Sequence, residues 1–167
     1  MRSCANGMRL AVANAPTSGA LSSAVIALLA DAAFVFAEPT TAHMPEGENP
    51  LVARLTLELG ERWELCVCVQ DKLGQVLAAN LLGTESETGE ARAAASDAVG
   101  ELANILAGTI ALDLFGKTVV CKIGIPVVAM ESGRAVGECL AKSACRVNLE
   151  TEEGYALAVA LTAQGGT

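Results

Sequence analysis

Asp97-Ala98-Val99-Gly100-Glu101-Leu102-Ala103-Asn104-Ile105-Leu106-Ala107-Gly108 is the stretch whose reading decides the fold. It lies inside an Ala-rich run, roughly Glu87 to Phe115, that contains no proline. Val99, Leu102, Leu106, Ile110 and Leu114 recur at spacings of three and four, so a helix presents them on one face. Asp97, Glu101 and Asn104 share a second face by the same spacings. Ala94, Gly100 and Gly108 lie near that polar row. Glycine inside a helix costs about 1 kcal/mol relative to alanine, so Gly100 and Gly108 want a reason. Close approach of another surface is one.

Outward from this helix the pattern changes to alternation. Leu55, Leu57 and Leu59 oppose Arg54, Thr56 and Glu58 across Leu51 to Leu59. After Gly60-Glu61, the run Arg62 to Gln70 sets Trp63, Leu65, Val67 and Val69 against Glu64, Cys66, Cys68 and Gln70. Two alternating runs joined by a short glycine turn read as an antiparallel hairpin. Cys145 to Glu150 and Tyr155 to Ala163 form a second hairpin around Thr151-Glu152-Glu153-Gly154. Leu73 to Leu82 fits a third strand or a short helix about equally. Val119 to Met130 holds two β-rich pieces around Gly124 and Pro126, and the proline marks an edge or a bulge because it cannot donate to a ladder. Ser132-Gly133-Arg134 reads as a turn.

Upstream, Thr17 or Ser18 offers an N-cap for a helix from Gly19 to about Ala33, with Leu21, Val25, Leu28 and Leu29 as its apolar set. Phe34 to Ala37 follows as a short strand ended by Glu38-Pro39, then a Pro/Gly-rich loop runs through Pro50. Thr84 or Ser86 is the expected cap of the long helix, with Glu85, Glu87 and Glu90 near its positive end. Gly116 suits its C-terminal cap. The result is an α+β domain: an antiparallel or mixed sheet with long helices packed on it. Residues 17–163 form this single domain, after a loose segment 1–16 and before a tail 164–167. No internal repeat is evident.

The chain has 167 residues, enough for one sizeable core, which must be built from Ala, Val, Leu and Ile because aromatics are only 3%. A net charge of −8 with no Lys/Arg cluster argues against nucleic acid. The run Ala20 to Ala37 approaches the length of a membrane span, but Ser22, Ser23 and Asp31 count against insertion. A cytoplasmic protein with no membrane segment is expected. Six cysteines, at 4, 66, 68, 121, 139 and 145, form no Cys-x-x-Cys pair, and His43 is the single histidine. These read as reduced structural thiols, with no metal-ligand set. A single histidine also leaves no Ser/His/Asp or Cys/His nucleophile, and no glycine-rich phosphate loop follows a strand.

The run Asp-x-x-x-Glu-x-x-Asn-x-x-x-Gly from Asp97 to Gly108, with Pro126 some twenty residues beyond Asn104, resembles the CheC/CheX/FliY family of chemotaxis phosphatases. A single motif in a single domain resembles the CheX branch, since CheC carries two. The likeness is sharp over Leu81 to Ala107 and diffuse elsewhere from about Leu21. It implies a helix, not a strand, before Leu82-Gly83. It implies that Asn104 aligns water for attack on the aspartyl phosphate of a CheY-like response regulator. Glu101 would pair with that regulator's phosphate-site lysine. Asp97, Gly100 and Gly108 are assigned to partner contact rather than chemistry. The chain then needs no cofactor of its own, because the divalent metal sits in the regulator, and a homodimer is implied. The alternative is a non-catalytic CheX-like adaptor in a signalling or flagellar assembly.

Overall fold

The computed structural model describes residues 16–114 and 120–165. Thr17 opens the first helix, α1 (Ser18–Ala33), its hydroxyl accepting from the Ala20 amide. Leu21, Val25 and Leu29 are its buried stripe. The short strand β1 (Ala37–Pro39) starts three residues later than the sequence suggests. Phe34 is not part of it: it closes α1 in the left-handed region, with φ 54°.

The first hairpin is β2 (Leu51–Leu59) and β3 (Glu61–Val69), in register from Leu51↔Val69 to Leu59↔Glu61. Gly60, at φ 84°, supplies the left-handed backbone of the turn. Leu73 to Leu82 is helical, within α2 (Asp71–Leu82), and Gly83 ends it at φ 69°. The long helix α3 (Gly89–Thr109) starts two residues later than expected, because its cap is Thr88 rather than Thr84 or Ser86. The Thr88 hydroxyl accepts from the Ala91 amide and donates to the Glu85 carbonyl. A π-turn over Ile110–Leu114 extends α3. The expected ending at Phe115-Gly116, and all but the last residue of the loose segment 1–16, lie outside the described residues.

The two β-rich pieces around Pro126 are β4 (Lys122–Ile123) and β5 (Val127–Met130), which both pair with β2 at one side of the sheet. The turn expected at Ser132–Arg134 is instead the start of a helix, α4 (Gly133–Ala141), capped by the Ser132 hydroxyl on the Ala135 amide. The chain closes with β6 (Cys145–Thr151) and β7 (Ala156–Gln164), whose last residue falls inside the expected tail. The sheet runs β1-β6-β7-β3-β2-β4, with β5 beside β4 on β2.

Each face of the sheet is covered. Leu57, Leu65, Val67, Leu157 and Leu161 pack with Leu21 and Leu29 of α1, Leu73 and Leu77 of α2, and Val99, Leu102 and Leu106 of α3. On the other face Val52, Cys66, Cys68, Ala158 and Ala160 meet Val136 and Leu140 of α4 together with Met44. Cys66 and Cys68 are thus the small core residues their spacing suggests, with sulfurs 3.5 Å apart and no bridge. The bond to Cys66, then burial, pushes the Cys68 thiol well above its usual range. No helix among the described residues is long and apolar enough to cross a membrane.

Candidate functional site

One face of α3 is occupied by the core, so the other must look outward. Val99, Leu102, Leu106 and Ile110 are buried as their spacing requires. Asp97, Glu101 and Asn104 are exposed on the outer side. Among the described residues their side chains make no hydrogen bond and no ion pair, which leaves two acids and an amide free to meet an external group.

These three side chains line one wall of an open groove of about 450 Å³. The facing wall comes from β4, β5 and their link: Ile123, Gly124, Ile125, Pro126 and Val128. Gly100 explains how close the walls come. A Cβ there would meet Val128 Cγ2 at 3.3 Å, so the missing side chain lets β5 approach the helix. Gly124 does the same against β2, where its amide bonds the Thr56 carbonyl at 2.8 Å and a Cβ would meet Thr56 N at 3.3 Å. Gly108 differs. It continues the stripe beyond Asn104 but lies outside the groove, and a Cβ there would meet nothing within 4 Å. The close-approach reason therefore holds within this chain for Gly100 and not for Gly108.

The β5 wall is held from behind. Arg54 of β2, paired in register with Val127, forms a two-pronged ion pair with Glu131 just after β5, at 3.1 and 2.9 Å. Its Nη1 also reaches Glu64 at 3.2 Å and donates to Cys139 Sγ of α4 at 3.1 Å. The bond to Glu131 holds the Arg54 guanidinium firmly protonated, far above the usual arginine range. Arg54 thereby ties the groove wall to both the sheet and α4.

Sequence reasoning found Asp97, Gly100, Glu101, Asn104 and Pro126, and the structure gathers all five. It missed Ser96, which lies on α3 beside Asp97, and it missed the Ile123, Gly124, Ile125 and Val128 wall, because that wall reaches the helix only through the long-range pairing of β4 and β5 with β2. Among the described residues, no three His, Cys, Asp or Glu side chains are gathered so as to hold a metal ion.

The family model described as chemotaxis phosphatase CheX matches residues 56–150, more than half of the chain and including the whole groove. The chain belongs to the CheX family. Solved structures carry the same fold. A chemotaxis protein CheX from Desulfovibrio desulfuricans superposes with a TM-score of 0.64 at 14% identity, covering 88% of this chain and 98% of that one. A putative chemotaxis protein from Desulfovibrio vulgaris Hildenborough gives 0.65 at 15% identity, covering 92% and 100%. The CheX-CheY-BeF3-Mg complex from Borrelia burgdorferi gives 0.64 at 16% identity, covering 87% and 96%. No curated protein matches the chain in sequence. At these identities the CheX structures establish the architecture, and what this chain does rests on its own groove.

Proposed function

We propose that this CheX-family chain is a phosphatase that removes the phosphoryl group from the aspartate of a CheY-like response regulator. The observation that carries the reading is the unpaired Glu101/Asn104 pair, side by side on α3 and opening into the groove. An amide offers one acceptor oxygen and two donor hydrogens, so Asn104 can hold a water in a fixed orientation without acting as a base. Phosphoryl transfer to water demands chiefly positioning and charge stabilisation, which such an amide supplies. Glu101, one turn away, is a free carboxylate that can anchor a lysine beside the partner's phosphate. Asp97 extends the same acidic row and assists docking. The divalent metal is the partner's, and no residue here is assigned to it. One CheX structure in complex with CheY supports the partner class: the Borrelia burgdorferi complex pairs the two proteins.

The chain is further proposed to work as a cytoplasmic homodimer, because the outer edge made by β4 and β5 has no strand beyond it among the described residues. Light scattering at the monomer mass across a wide concentration range would contradict that part. The adaptor reading keeps the docking and drops the chemistry. Decay of a phosphorylated receiver domain, followed with and without the protein, separates them. The phosphatase reading expects faster decay, and expects Glu101→Ala to raise the receiver concentration needed for half-maximal rate. Binding without any acceleration leaves only the adaptor.

A further inference from the structure

Phe34 is the one non-glycine residue with positive φ among the described residues, at 54°. A bulky side chain disfavours that left-handed backbone, and burial does not compensate here, since Phe34 is 74% exposed. The chain has only three phenylalanines, so displaying one on a strained backbone is an uncommon use of a scarce residue. Such an outlier points towards a role in contact.

Its neighbours extend the same theme. The carbonyl of Ala33 accepts from Asn80 Nδ2 at 2.7 Å, which seats the end of α1 against the end of α2. There Leu81 and Leu82 are each about half exposed, at 54% and 52%. Between these ends and α3 runs an apolar crease lined by Ala32, Leu77, Leu81, Leu102 and Ile105. Its polar margin is Glu101, which also lines the groove containing Asn104. Ile105 lies one turn from Glu101 on α3, and residues four apart are surface neighbours. A body that places a cation on Glu101 therefore covers Ile105 and the crease as well. The unpaired carboxylates of Asp97 and Glu101 set the charge of that body's matching surface as positive.

We infer that Phe34, with Leu81 and Ile105, forms an apolar anchor for the same phosphorylated receiver domain that docks its lysine on Glu101. This rests on the receiver-phosphatase reading and adds the second half of the contact: the partner carries an apolar ridge beside its phosphate site. Aromatic and aliphatic anchors next to a polar centre are the usual source of binding energy in a protein interface. The strain at Phe34 is then retained because it aims the ring outward.

The test uses two variants, Phe34→Gly and Leu81→Ser, with stand-alone receiver domains loaded with beryllofluoride and Mg²⁺ as the probe. Glycine accepts φ 54° without strain, so Phe34→Gly is expected to hold Tm or raise it by roughly 2–4 °C. The same variant is expected to weaken receiver binding about tenfold or more. Leu81→Ser is expected to weaken it in the same direction at unchanged Tm. Opposite signs in stability and binding are what an internal packing role would not give. Wild-type binding that both variants leave intact overturns the inference and spares the phosphatase reading. A fall in Tm for Phe34→Gly, or a loss of self-association in sedimentation, also overturns it, by assigning the ring to the core or to a second copy. Absence of wild-type binding to every receiver overturns both.

Discussion

Towards α1, α2 and α3 the sheet presents Leu55, Leu57, Leu65, Val67, Leu157 and Leu161; towards α4 it presents Val52, Cys66, Cys68, Ala158 and Ala160. The same strands thus carry large aliphatics on one side and mainly small side chains on the other. Large groups meet three helices and fill a deep core with them. Against the small groups, Val136 and Leu140 of one nine-residue helix close a smaller cluster together with Met44. The deep side carries the stability, and the thin side braces the groove wall through Arg54 and Cys139.

The contrast can be broken most severely on the deep side. Leu65 is fully buried under the helices, and Leu65→Ala should cost about 2–5 kcal/mol through lost transfer energy and the cavity left behind. Urea unfolding measures it; a cost below about 1 kcal/mol would mean that this face is not the main core. The thin side should fail by collision instead. A Cβ at Gly133 would run into the carbonyl oxygen of Pro45 and come within 2.9 Å of Glu46 Cα, where the loop crosses the start of α4. The obstacle is backbone, so it cannot rotate away. Gly133→Ala should therefore cost about 1–3 kcal/mol, and the loss should appear as faster amide exchange in α4 before β3. Uniform loss across the sheet, or none, would erase the distinction between the two sides.

That distinction also governs what the sequence discloses. The deep side writes itself into long regular patterns: Val99, Leu102, Leu106 and Ile110 at helical spacing, and Trp63, Leu65, Val67 and Val69 at strand spacing. The strand β3 and the helix α3 follow directly from those residues. The thin side leaves a weaker trace. In α4 only Gly133, Val136 and Leu140 are buried, two glycines dilute the helix propensity, and Ser132-Gly133-Arg134 resembles a turn. The Ser132 cap was the available signal. At the start of β1, alternation of exposed Phe34 and Phe36 with buried Val35 and Ala37 imitates a strand, although Phe34 is a helix end.

The candidate site divides in the same way. Its helix wall, Asp97, Glu101 and Asn104, is local and was readable from spacing together with the family resemblance. Its strand wall, Ile123, Ile125 and Val128, depends on pairing between segments some seventy residues apart along the chain, which no local pattern encodes. Gly100 stood between the two: its presence was legible, but its reason, the approach of Val128, needed the fold.

The central claim is that Asn104 supplies chemistry while the rest of its face supplies docking. The most direct measurement is the single-turnover decay of a phosphorylated receiver domain at saturating concentrations of wild type and Asn104→Ala. The account predicts a rate lower by about 10²–10³ for the variant, the scale of losing one positioned polar group in a catalytic site. It also predicts receiver affinity near wild type and a stability change within about 0.5 kcal/mol, because the side chain is exposed and makes no bond among the described residues. An Asn104→Ala protein as active as wild type at saturation would contradict the account.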